Sequence, residues 1–378
     1  MKNILHLTQT DIRSDSRILK EISAAKDFGY EVVGIGIRLG EDTAESGLVN
    51  LDKIVSIPLL SKRLVYLPKI IQHSLVFVEY FARSFVLSIR SKPDIIHCND
   101  TLVLPIGILV KLVTGAKLVY DAHELESDRN GLSKFLGKII LRIEKVVWPL
   151  VDALIVVSPS IEEWYMNNVG KKSCAVVLNS PIIETQSELK HEDYLRDQFG
   201  IPKDVKIFIY VGILAPGRGI DLIIDAFTSP DIKSSVVFLG YGPLTKELKD
   251  KSEQFRNIHV HDAVEHEKVV SIVRTADVGL CLIQNISLSD YYSLPNKLFE
   301  YCFSGIPVLA SNFPDMSEVV NKYKLGICVD LNVEDVVEGI KGFERGELDV
   351  NFSSSDLTEL GWKTQANKLI QLYQNVLL

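Results

Sequence analysis

Residues 206–227 read KIFIYVGILAPGRGIDLIIDAF and contain the structural unit from which this chain is built. An apolar run ends at Gly212, a Pro-Gly loop follows, and a helical pattern begins near Gly219. Short apolar runs without polar alternation are typical of strands that are buried on both faces of a parallel sheet. The stretch therefore predicts a strand, a loop and a helix of an α/β fold.

The same unit recurs along the chain in two series. The strand-like segments of the first series are NILHL, YEVVGIGI, DIIHC, KLVYDAH, ALIVVS and CAVVLN, and those of the second are KIFIYVG, SSVVFLGYG, IHVHD, VGLCLI, PVLAS and GICVD. A polar stretch at 184–203 separates them. We therefore expect two Rossmann-like domains, at 1–184 and 200–360, and a final helix at 361–378 that could pack on either. Ligands bind outside the carboxyl ends of parallel strands, which predicts a site in the cleft between the domains.

Composition limits the classes of function. The chain has 378 residues, 47% of them hydrophobic and 24% charged, and this length favours two domains. A net charge of −8 argues against nucleic acid as the main partner. The five cysteines are scattered without a CxxC pair, which predicts a reducing compartment and no zinc site. The first residues are too weakly apolar for a signal peptide and no run is long enough to span a bilayer, so we expect a cytoplasmic protein.

Two glycine-rich loops are candidates for contact with a phosphate. Free backbone N–H groups after Gly212 and at the following helix start suit an anion, and Arg218 adds a cation beside them. An ordinary strand-to-helix turn is an equally open alternative. The loop is not a GxGxxG motif and gives no support to a dinucleotide. Gly240, in VVFLGYGP, would let a ligand or a neighbouring loop approach the backbone closely.

The segment YYSLPNKLFEYCFSGIPV (291–308) carries two charges in an apolar junction. We expect a loop from Ser287 to Lys297 and a helix that begins near Leu298. Lys297 would lie beside an anion at the helix N-terminus, and Glu300 would accept hydrogen bonds from the two hydroxyls of a ribose. The alternatives are a solvated lysine and a first-turn carboxylate that stabilises the helix dipole.

Taken together, these motifs resemble those of a known family. The series YVGxLxxxRGIDLIIDAF, VVFLGYGP, ADVGLCLI and LPNKLFEYCFSGIPVLAS resembles the donor-binding half of the family 4 retaining glycosyltransferases, which have the GT-B fold. PDIIHCND, LVYDAHEL, DALIVVSPS and VVLNSP resemble the acceptor half, and GWKTQANKLIQLY resembles the last helix, which returns to the first domain. The resemblance implies transfer of a sugar from a nucleotide diphosphate to a hydroxyl with retained configuration. It implies no metal and no cofactor besides the nucleotide sugar, with a UDP-sugar favoured over a GDP-sugar.

The resemblance also assigns residues. Arg218 would bind the diphosphate, Glu300 the ribose, and the backbone of 296–298 the outer phosphate, while the nucleobase would lie near HDAVEHE (261–267). With His123, which would face the donor sugar, Arg218, Lys297 and Glu300 form the expected catalytic set. The further donor-binding positions are Gly212, Gly240, Val264, Asp290, Tyr292, Pro295, Asn296 and Leu298.

Two positions depart from the family pattern. The pattern has two glutamates separated by seven residues, and the first of them falls on Tyr292. An arginine that usually follows the glycine of the first loop is replaced by Ile213. Lys297 could supply the missing cation, and Asp290 or Tyr292 itself could contact the sugar. The identity of the donor hexose is therefore left open.

The first domain offers weaker candidates. His123 follows a strand, where a lone histidine is often structural. Asp11, Arg13 and Arg17 lie in the loop after the first strand and could contact an acceptor, including an anionic one; helix capping by Asp15 or Ser14 with solvated arginines is an equal alternative. Asn99 and Asp100 follow IIHC and are further acceptor candidates.

Two segments, 61–92 and 131–148, are both apolar and basic. Between residues 60 and 150 there are thirteen Lys and Arg against eight Asp and Glu. In the second segment the cations recur at helical spacing, at Lys134, Lys138, Arg142 and Lys145. The pattern predicts peripheral contact with the inner face of a membrane, or else a helix with a solvated basic edge.

The function expected from the sequence is a glycosyltransferase of cell-surface polysaccharide synthesis, acting on a glycan or a lipid-linked acceptor. A sugar-nucleotide 2-epimerase and a non-catalytic sugar-nucleotide-binding subunit are the alternatives. Tyr292 argues against the first of these, because epimerisation calls for several carboxylates around the sugar. Retention of Arg218, Lys297 and Glu300 argues against the second.

Overall fold

The computed structural model of the protein describes residues 1–38, 53–182, 193–348, 350, 352 and 357–378. The described chain forms two compact units, of residues 1–177 with 366–378 and of residues 178–365. Part of the predicted linker at 184–203 lies outside the described residues. Its remainder is not all loop, because residues 194–199 are helical.

The first unit is built on a parallel sheet of seven strands. The strands are β1 (Asn3–Leu7), β2 (Glu31–Ile37), β3 (Ile54–Ile57), β4 (Ile95–Asn99), β5 (Lys117–Ala122), β6 (Ala153–Val156) and β7 (Ser173–Val176), in the order β3-β2-β1-β4-β5-β6-β7. The helices are α1 (Ser16–Asp27), α2 (Lys69–Arg90), α3 (Leu104–Thr114), α4 (Lys134–Val147) and α5 (Pro159–Asn168). Short 3-10 helices lie at Ile12–Ser14, Leu60–Arg63, Thr101–Val103 and Trp148–Leu150.

The second unit is built on a parallel sheet of six strands. The strands are β8 (Ile207–Ile213), β9 (Ser235–Tyr241), β10 (Ile258–His261), β11 (Val278–Cys281), β12 (Val308–Ser311) and β13 (Gly326–Val329), in the order β10-β9-β8-β11-β12-β13. The helices are α6 (Tyr194–Phe199), α7 (Ile220–Phe227), α8 (Thr245–Gln254), α9 (His266–Val273), α10 (Leu288–Tyr291), α11 (Asn296–Phe303), α12 (Pro314–Lys322) and α13 (Val333–Arg345). A last helix, α14 (Trp362–Leu377), begins in the second unit and ends in the first.

Both sheets reverse their strand order at one point. The reversal lies between β1 and β4 in the first unit and between β8 and β11 in the second. A topological switch of this kind leaves a crevice at the carboxyl ends of the two strands, where open α/β sheets bind ligands. The prediction of two Rossmann-like domains with parallel sheets is confirmed. The predicted interdomain cleft stays a prediction.

Apart from β3, which the sequence analysis did not single out, the described strands form at the predicted segments, and the central ones do so because they are apolar on both faces. Ile4, Leu5 and Leu7 of β1 are fully buried, as are Phe208 and Tyr210 of β8. Burial on both faces requires helices on both sides of each sheet, which the alternating connections supply.

Helix α2 is long and apolar enough, by length and composition, to cross a bilayer. In the structure it packs within the first unit instead, through Tyr80, Ser84 and Ser88. The Tyr80 hydroxyl donates a hydrogen bond to the Thr8 carbonyl. The helix therefore belongs to the fold of this unit, although most of its surface is not covered by the described residues.

Candidate functional site

The loop after β8 and the carboxyl end of β9 contain glycines that backbone packing requires. A Cβ on Gly219 would lie 1.8 Å from the Leu282 carbonyl oxygen, and one on Gly240 would lie 1.9 Å from the carbonyl oxygen of Gly212. Both residues also have positive φ. At Gly240 the structure shows the close approach of the neighbouring strand β8, where the sequence analysis expected a ligand or a loop.

Gly212 differs, because its open side faces a cation. Its φ is 128°, and a Cβ at this position would meet the end of the Lys297 side chain at 3.9 Å. The Lys297 ammonium is inaccessible to solvent and has no hydrogen-bond partner in the part of the chain that the structure describes. It lies 3.7 Å from the centroid of the Tyr210 ring, where a cation–π interaction stabilises it. Burial lowers the pKa of Lys297 to about 8. The lysine is thus not the solvated surface residue of the alternative interpretation.

Helix α11 presents a free N-terminus at the same place. It begins at Asn296, two residues earlier than the sequence suggested, after Pro295 in an extended conformation and without a capping side chain. The amide of Leu298 donates to the Pro295 carbonyl, which removes it from the predicted phosphate contacts. The amides of Asn296 and Lys297 remain as donors for an anion at the positive end of the helix dipole.

A tyrosine and a glycine that the sequence analysis did not single out position α11. The Tyr301 hydroxyl accepts a hydrogen bond from the amide of Val211 at 2.9 Å and donates to the Leu280 carbonyl at 3.2 Å. Its ring occupies the space that a side chain at Gly279 would need, since a Cβ there would lie 2.2 Å from the ring. This glycine inside a buried strand is the sequence signal that could have revealed the close contact. The helix is therefore fixed to both strands of the switch point.

Glu300 is buried on α11, one turn after Asn296. Leu298, between them, belongs to the core and can contribute only backbone groups. Val264 lies partly exposed in the loop between β10 and α9. The side chains of residues 266 and 267, at the end of the predicted nucleobase segment, lie outside the described part of the structure.

Arg218 and Asp290 come together from separate loops. The Arg218 Nη1 lies 3.9 Å from Asp290 Oδ1, and the guanidinium is about one third exposed. Asp290 is buried and accepts a hydrogen bond from the Ser287 hydroxyl at 2.8 Å. Tyr292 is half-buried with its ring beside Tyr291. The structure thus supplies Arg218 with a carboxylate neighbour, at a distance that leaves the guanidinium accessible.

Ile213, at the position where the resemblance expects an arginine, is exposed. Its carbonyl accepts a hydrogen bond from the Tyr210 hydroxyl at 2.9 Å. The same tyrosine therefore supports Ile213 through its hydroxyl and Lys297 through its ring. Ile213, which replaces the expected arginine, and Lys297, proposed to supply its charge, thus contact the same tyrosine.

In the first unit, Arg17 lies in a buried network of charges. Its Nε is 3.0 Å from Glu21, its Nη2 is 3.1 Å from both carboxylate oxygens of Asp121, and its Nη1 donates to the Val177 carbonyl. Arg17 therefore neither reaches an acceptor, as expected, nor is solvated, as in the alternative. The physical reason is that α1 directs this side chain inward, toward the carboxyl end of β5.

The other residues of the first loop serve local structure. Asp15 caps α1 by accepting a hydrogen bond from the amide of Ile18, as the capping alternative proposed. Asp11 is buried and its Oδ2 lies 2.7 Å from Arg13 Nη2. Ser14 does not cap the helix; its hydroxyl donates to the Asp11 carbonyl.

His123 lies at the edge of the charge network. Its Nε2 is 3.3 Å from Asp121 Oδ2 and its Nδ1 is 3.6 Å from Asp100 Oδ1, and its side chain is 18% exposed. Burial alone would lower the pKa of His123, but the two carboxylates more than offset burial and raise it to about 10. Asp100 has a φ of 70°, rare for a residue other than glycine and often found at functional sites. His123 thus lies between two carboxylates that favour its protonated form.

Asn99 is buried and its side chain donates to the Leu7 carbonyl at 3.2 Å. This bond ties β4 to β1 at the switch point. The arrangement favours a structural part for Asn99 over contact with an acceptor.

Three further members of the network were missed from the sequence. His97 Nδ1 lies 2.6 Å from the Tyr373 hydroxyl, its Nε2 lies 3.2 Å from Asp121, and its ring stacks on that of His6. Tyr373 belongs to α14 and so joins the C-terminal helix to the first sheet. Histidines inside the apolar runs NILHL and DIIHC were the available signal, since a buried polar side chain requires a partner.

Two triads in this network have donor atoms close enough to hold a cation: His6, Glu21 and His97, and Glu21, Asp121 and His123. The guanidinium of Arg17 already lies between Glu21 and Asp121 and supplies positive charge there. The carboxylates of Glu21 and Asp121 therefore already have an internal cation as their partner.

Comparison with known proteins covers both units. Residues 22–183 match the family model described as Glycosyltransferase Family 4, and residues 192–355 match that of Glycosyl transferases group 1. A chitobiosyldiphosphodolichol beta-mannosyltransferase of Candida glabrata is 25% identical over 258 residues, which span 60% of this chain and 56% of that protein. The chain thus matches little more than half the length of this relative.

Two solved structures have the same fold over the whole chain. Sucrose-phosphate synthase from Thermosynechococcus elongatus superposes with a TM-score of 0.79 at 15% identity, covering 100% of this chain and 99% of that one. HepE of Anabaena, in complex with UDP, superposes with a TM-score of 0.72 at 16% identity, covering 100% and 98%. At these identities the likeness establishes the fold, and it confirms the GT-B architecture expected from the sequence.

Proposed function

Since the chain belongs to the family 4 glycosyltransferases of the GT-B fold, we propose that it transfers a hexose or N-acetylhexosamine from a nucleotide diphosphate sugar to a hydroxyl group. The observation that carries the proposal is the convergence of Lys297, Arg218 and the uncapped α11 at the carboxyl end of β8. Two cations and a helix N-terminus suit a diphosphate that leaves without a metal ion.

The donor proposed is a UDP-sugar. Glu300 lies one turn into α11, where a carboxylate can accept hydrogen bonds from a ribose diol while the phosphates contact the first turn. The related fold of HepE, solved with UDP, supports this choice of nucleotide. Because one relative is named as a mannosyltransferase, mannose belongs among the sugars to be tested. Tyr292, in place of the expected glutamate, leaves the identity of the hexose undetermined.

The mechanism proposed is front-face substitution with retained configuration. The bond between the anomeric carbon and the β-phosphate oxygen breaks, and the bond to the acceptor oxygen forms on the same face. The acceptor proton passes to the departing phosphate oxygen. Arg218 and Lys297 stabilise the negative charge that develops on the diphosphate, which is the main requirement when no metal is involved. No enzymic nucleophile is needed.

The acceptor proposed is a glycan or a lipid-linked sugar of cell-surface polysaccharide synthesis. The relative from Candida glabrata is named for a diphosphodolichol acceptor, which supports a lipid-linked substrate. The location proposed is the cytoplasm, with peripheral attachment at the inner face of the membrane, where soluble nucleotide sugars and lipid-linked acceptors meet.

The test is a panel of UDP- and GDP-linked hexoses and N-acetylhexosamines, incubated with the full chain and a lipid extract. We expect release of nucleotide that depends on the extract, and a product whose anomeric proton coupling matches the donor. An epimerised sugar nucleotide that forms without acceptor and without net release of nucleotide would support the 2-epimerase instead. Tight nucleotide binding without release under any condition would support the non-catalytic subunit.

A further inference from the structure

Helix α4 is inverted relative to an ordinary surface helix, because its apolar side is exposed and its buried side carries a glycine and a glutamate. Its buried residues are Gly137 and Glu144, while Phe135 and Val146 are 73% and 72% exposed and Leu136, Ile139 and Ile143 are exposed as well. At helical spacing the stripe of residues 135, 139, 143 and 146 lies on the side opposite to Gly137 and Glu144. An amphipathic helix in water directs its apolar stripe to the core, so this orientation needs another explanation.

Polar anchors hold α4 in this orientation. Glu144 accepts hydrogen bonds from the hydroxyls of Tyr165 at 2.7 Å and Tyr120 at 2.8 Å, both fully buried. Gly137 lies against the Ser127 carbonyl, where a Cβ would come within 2.3 Å of the oxygen. Rotating the helix to bury its apolar stripe would leave the Glu144 carboxylate and two tyrosine hydroxyls without these bonds, at substantial cost.

Helix α2 has the same inversion. Its buried residues are Tyr80, Ser84 and Ser88, and a stripe of exposed apolar residues runs along the opposite side: Ile71, Leu75, Val78 and Val86. At its start Ile70 is 82% exposed, and the preceding turn exposes Val65 and Tyr66. A helix of the protein core would bury this stripe, and α2 does not.

The two inverted helices lie on one face of the first sheet. Helices α2, α3 and α4 connect β3 to β4, β4 to β5 and β5 to β6, which are steps in one direction across the sheet. Right-handed crossovers in one direction place their helices on the same face. Between the inverted helices, α3 exposes Leu109, Leu112 and Val113. The apolar stripes therefore belong to one surface, which we call the α2–α4 face.

The charges beside the apolar stripe of α4 have one sign. Around the apolar stripe of α4 lie Lys134, Lys138, Arg142 and Lys145, all exposed, and none of them pairs with a carboxylate in the described part of the chain. The single acidic residue of α4, Glu144, is buried. A concentration of unpaired cations is notable in a chain whose net charge is −8. Apolar side chains flanked by cations complement the acyl region and the headgroups of an anionic bilayer.

We propose that the α2–α4 face docks on an anionic phospholipid bilayer, with the apolar stripes of α2 and α4 inserted at the headgroup–acyl boundary. The inference deepens the location proposed above and rests on that proposal for the side of the membrane. The helices lie along the membrane surface, since their inner faces are packed in the first unit. Anionic headgroups pair with the α4 cations, which have no carboxylate partner among the described residues.

The test is flotation of the full chain with phosphatidylcholine vesicles, with and without phosphatidylglycerol, at low and high salt. We expect strong partitioning only when phosphatidylglycerol is present, and weakening by salt. The variant K134Q/K138Q/R142Q/K145Q loses at least about tenfold in partitioning, since each cation near an anionic surface contributes to binding. The matched control K203Q/K233Q/K246Q/K249Q removes four exposed cations of the second unit and leaves partitioning within about twofold.

A second variant tests the apolar stripe. F135S/I139S/V146S replaces exposed side chains, so we expect normal thermal unfolding and loss of vesicle binding even at low salt. A UDP titration of each variant monitors the second unit and separates a failure of docking from a failure of the proposed function. Absence of partitioning to anionic vesicles overturns the proposal. So does concentration-dependent self-association that F135S/I139S/V146S abolishes, because the face would then bind a second copy of this chain.

Discussion

At the scale of single residues, Lys297 is a side chain whose burial costs stability and whose charge serves the proposed function. Its ammonium is buried without a hydrogen bond among the described residues and is supported by the Tyr210 ring. An unpaired buried charge destabilises a fold unless a ligand supplies the counter-charge. The conflict is expected at a site that is completed by an anion.

Substitution of Lys297 by Met therefore has opposite effects on stability and on binding. We expect the free protein to unfold at a higher temperature, because the unpaired charge is gone. The affinity for UDP falls about 10- to 100-fold, the size expected for a lost charge-assisted hydrogen bond. Calorimetric titration and thermal unfolding measure both effects, with the exposed Lys249→Met as control. A variant that binds UDP as well as the parent contradicts the phosphate assignment.

The pH dependence of UDP binding follows from the same residue. The pKa of Lys297 is lowered to about 8 in the free protein, below its value of about 10.5 in an unfolded chain. The bound phosphate needs the ammonium form, so affinity is full below pH 8 and falls as the pH rises above it. The stability of the free protein has the opposite trend and rises with pH between these two pKa values. Titrations across this range should show proton uptake on binding, and none in Lys297→Met.

Glu300 is tested through the ribose hydroxyls. The parent protein should bind UDP at least about tenfold more tightly than 2′,3′-dideoxy-UDP, because the carboxylate accepts hydrogen bonds from the diol. In Glu300→Gln the ratio of the affinities for UDP and 2′,3′-dideoxy-UDP should fall, while the side chain keeps its shape. Glu253→Gln, on the surface of α8, serves as the control. Equal discrimination by the parent and Glu300→Gln would refute the ribose assignment.

At the scale of elements, the β8–α7 loop is constrained by a close contact between backbones. Gly219 has a φ of 73° and begins α7, and the Leu282 carbonyl occupies the place of its side chain. Gly305 has a similar φ of 79° but no atom within 4 Å of a Cβ. Comparing substitutions at the two glycines therefore distinguishes the cost of the backbone conformation, which both share, from the cost of a clash, which only Gly219 has.

We expect Gly219→Ala to lower the free energy of unfolding by at least about 2 kcal/mol more than Gly305→Ala does. Both variants adopt an unfavourable left-handed conformation, but only the first forces β11 and α7 apart. Urea unfolding of the two variants measures the difference. UDP affinity should fall only in Gly219→Ala, since this loop carries Arg218. Equal destabilisation would show that the loop has room to move.

At the scale of the whole molecule, the chain passes between its two units twice. The first unit is completed by residues 366–378, far from the rest of it in sequence. Leu369 and Tyr373 of α14 are fully buried there, and Tyr373 reaches the charge network through His97. The stability of the first unit therefore depends on the last residues of the chain.

Leu369→Ala should destabilise the first unit by about 2–5 kcal/mol, the usual cost of emptying a buried leucine site. Hydrogen exchange should become faster in β1 and β4 and stay unchanged in β8 and β11, because the second unit has its own core. Leu378→Ala, at the fully exposed C-terminus, is the control. Faster exchange in both sheets would show that the two units unfold together.

The order and type of the elements could be predicted from the sequence because they depend on local patterns. Apolar runs between helical segments specify parallel strands, and a glycine-rich turn after such a strand specifies a helix start. Arg218 lies in such a turn, Gly212 near the end of the strand before it and Lys297 at the start of α11, so all three could be named from the sequence alone.

Only the tertiary structure decided which side chains are buried and by what. Arg17 lies in a loop pattern that also suits a solvated residue, and its partner Asp121 is more than a hundred residues away. Helix α4 has an amphipathic pattern that suits either orientation, and the hydroxyls of Tyr120 and Tyr165 hold the side that carries Glu144 inward. Periodicity reports that a helix has two faces, whereas the contacts of residues distant in sequence determine which face is covered.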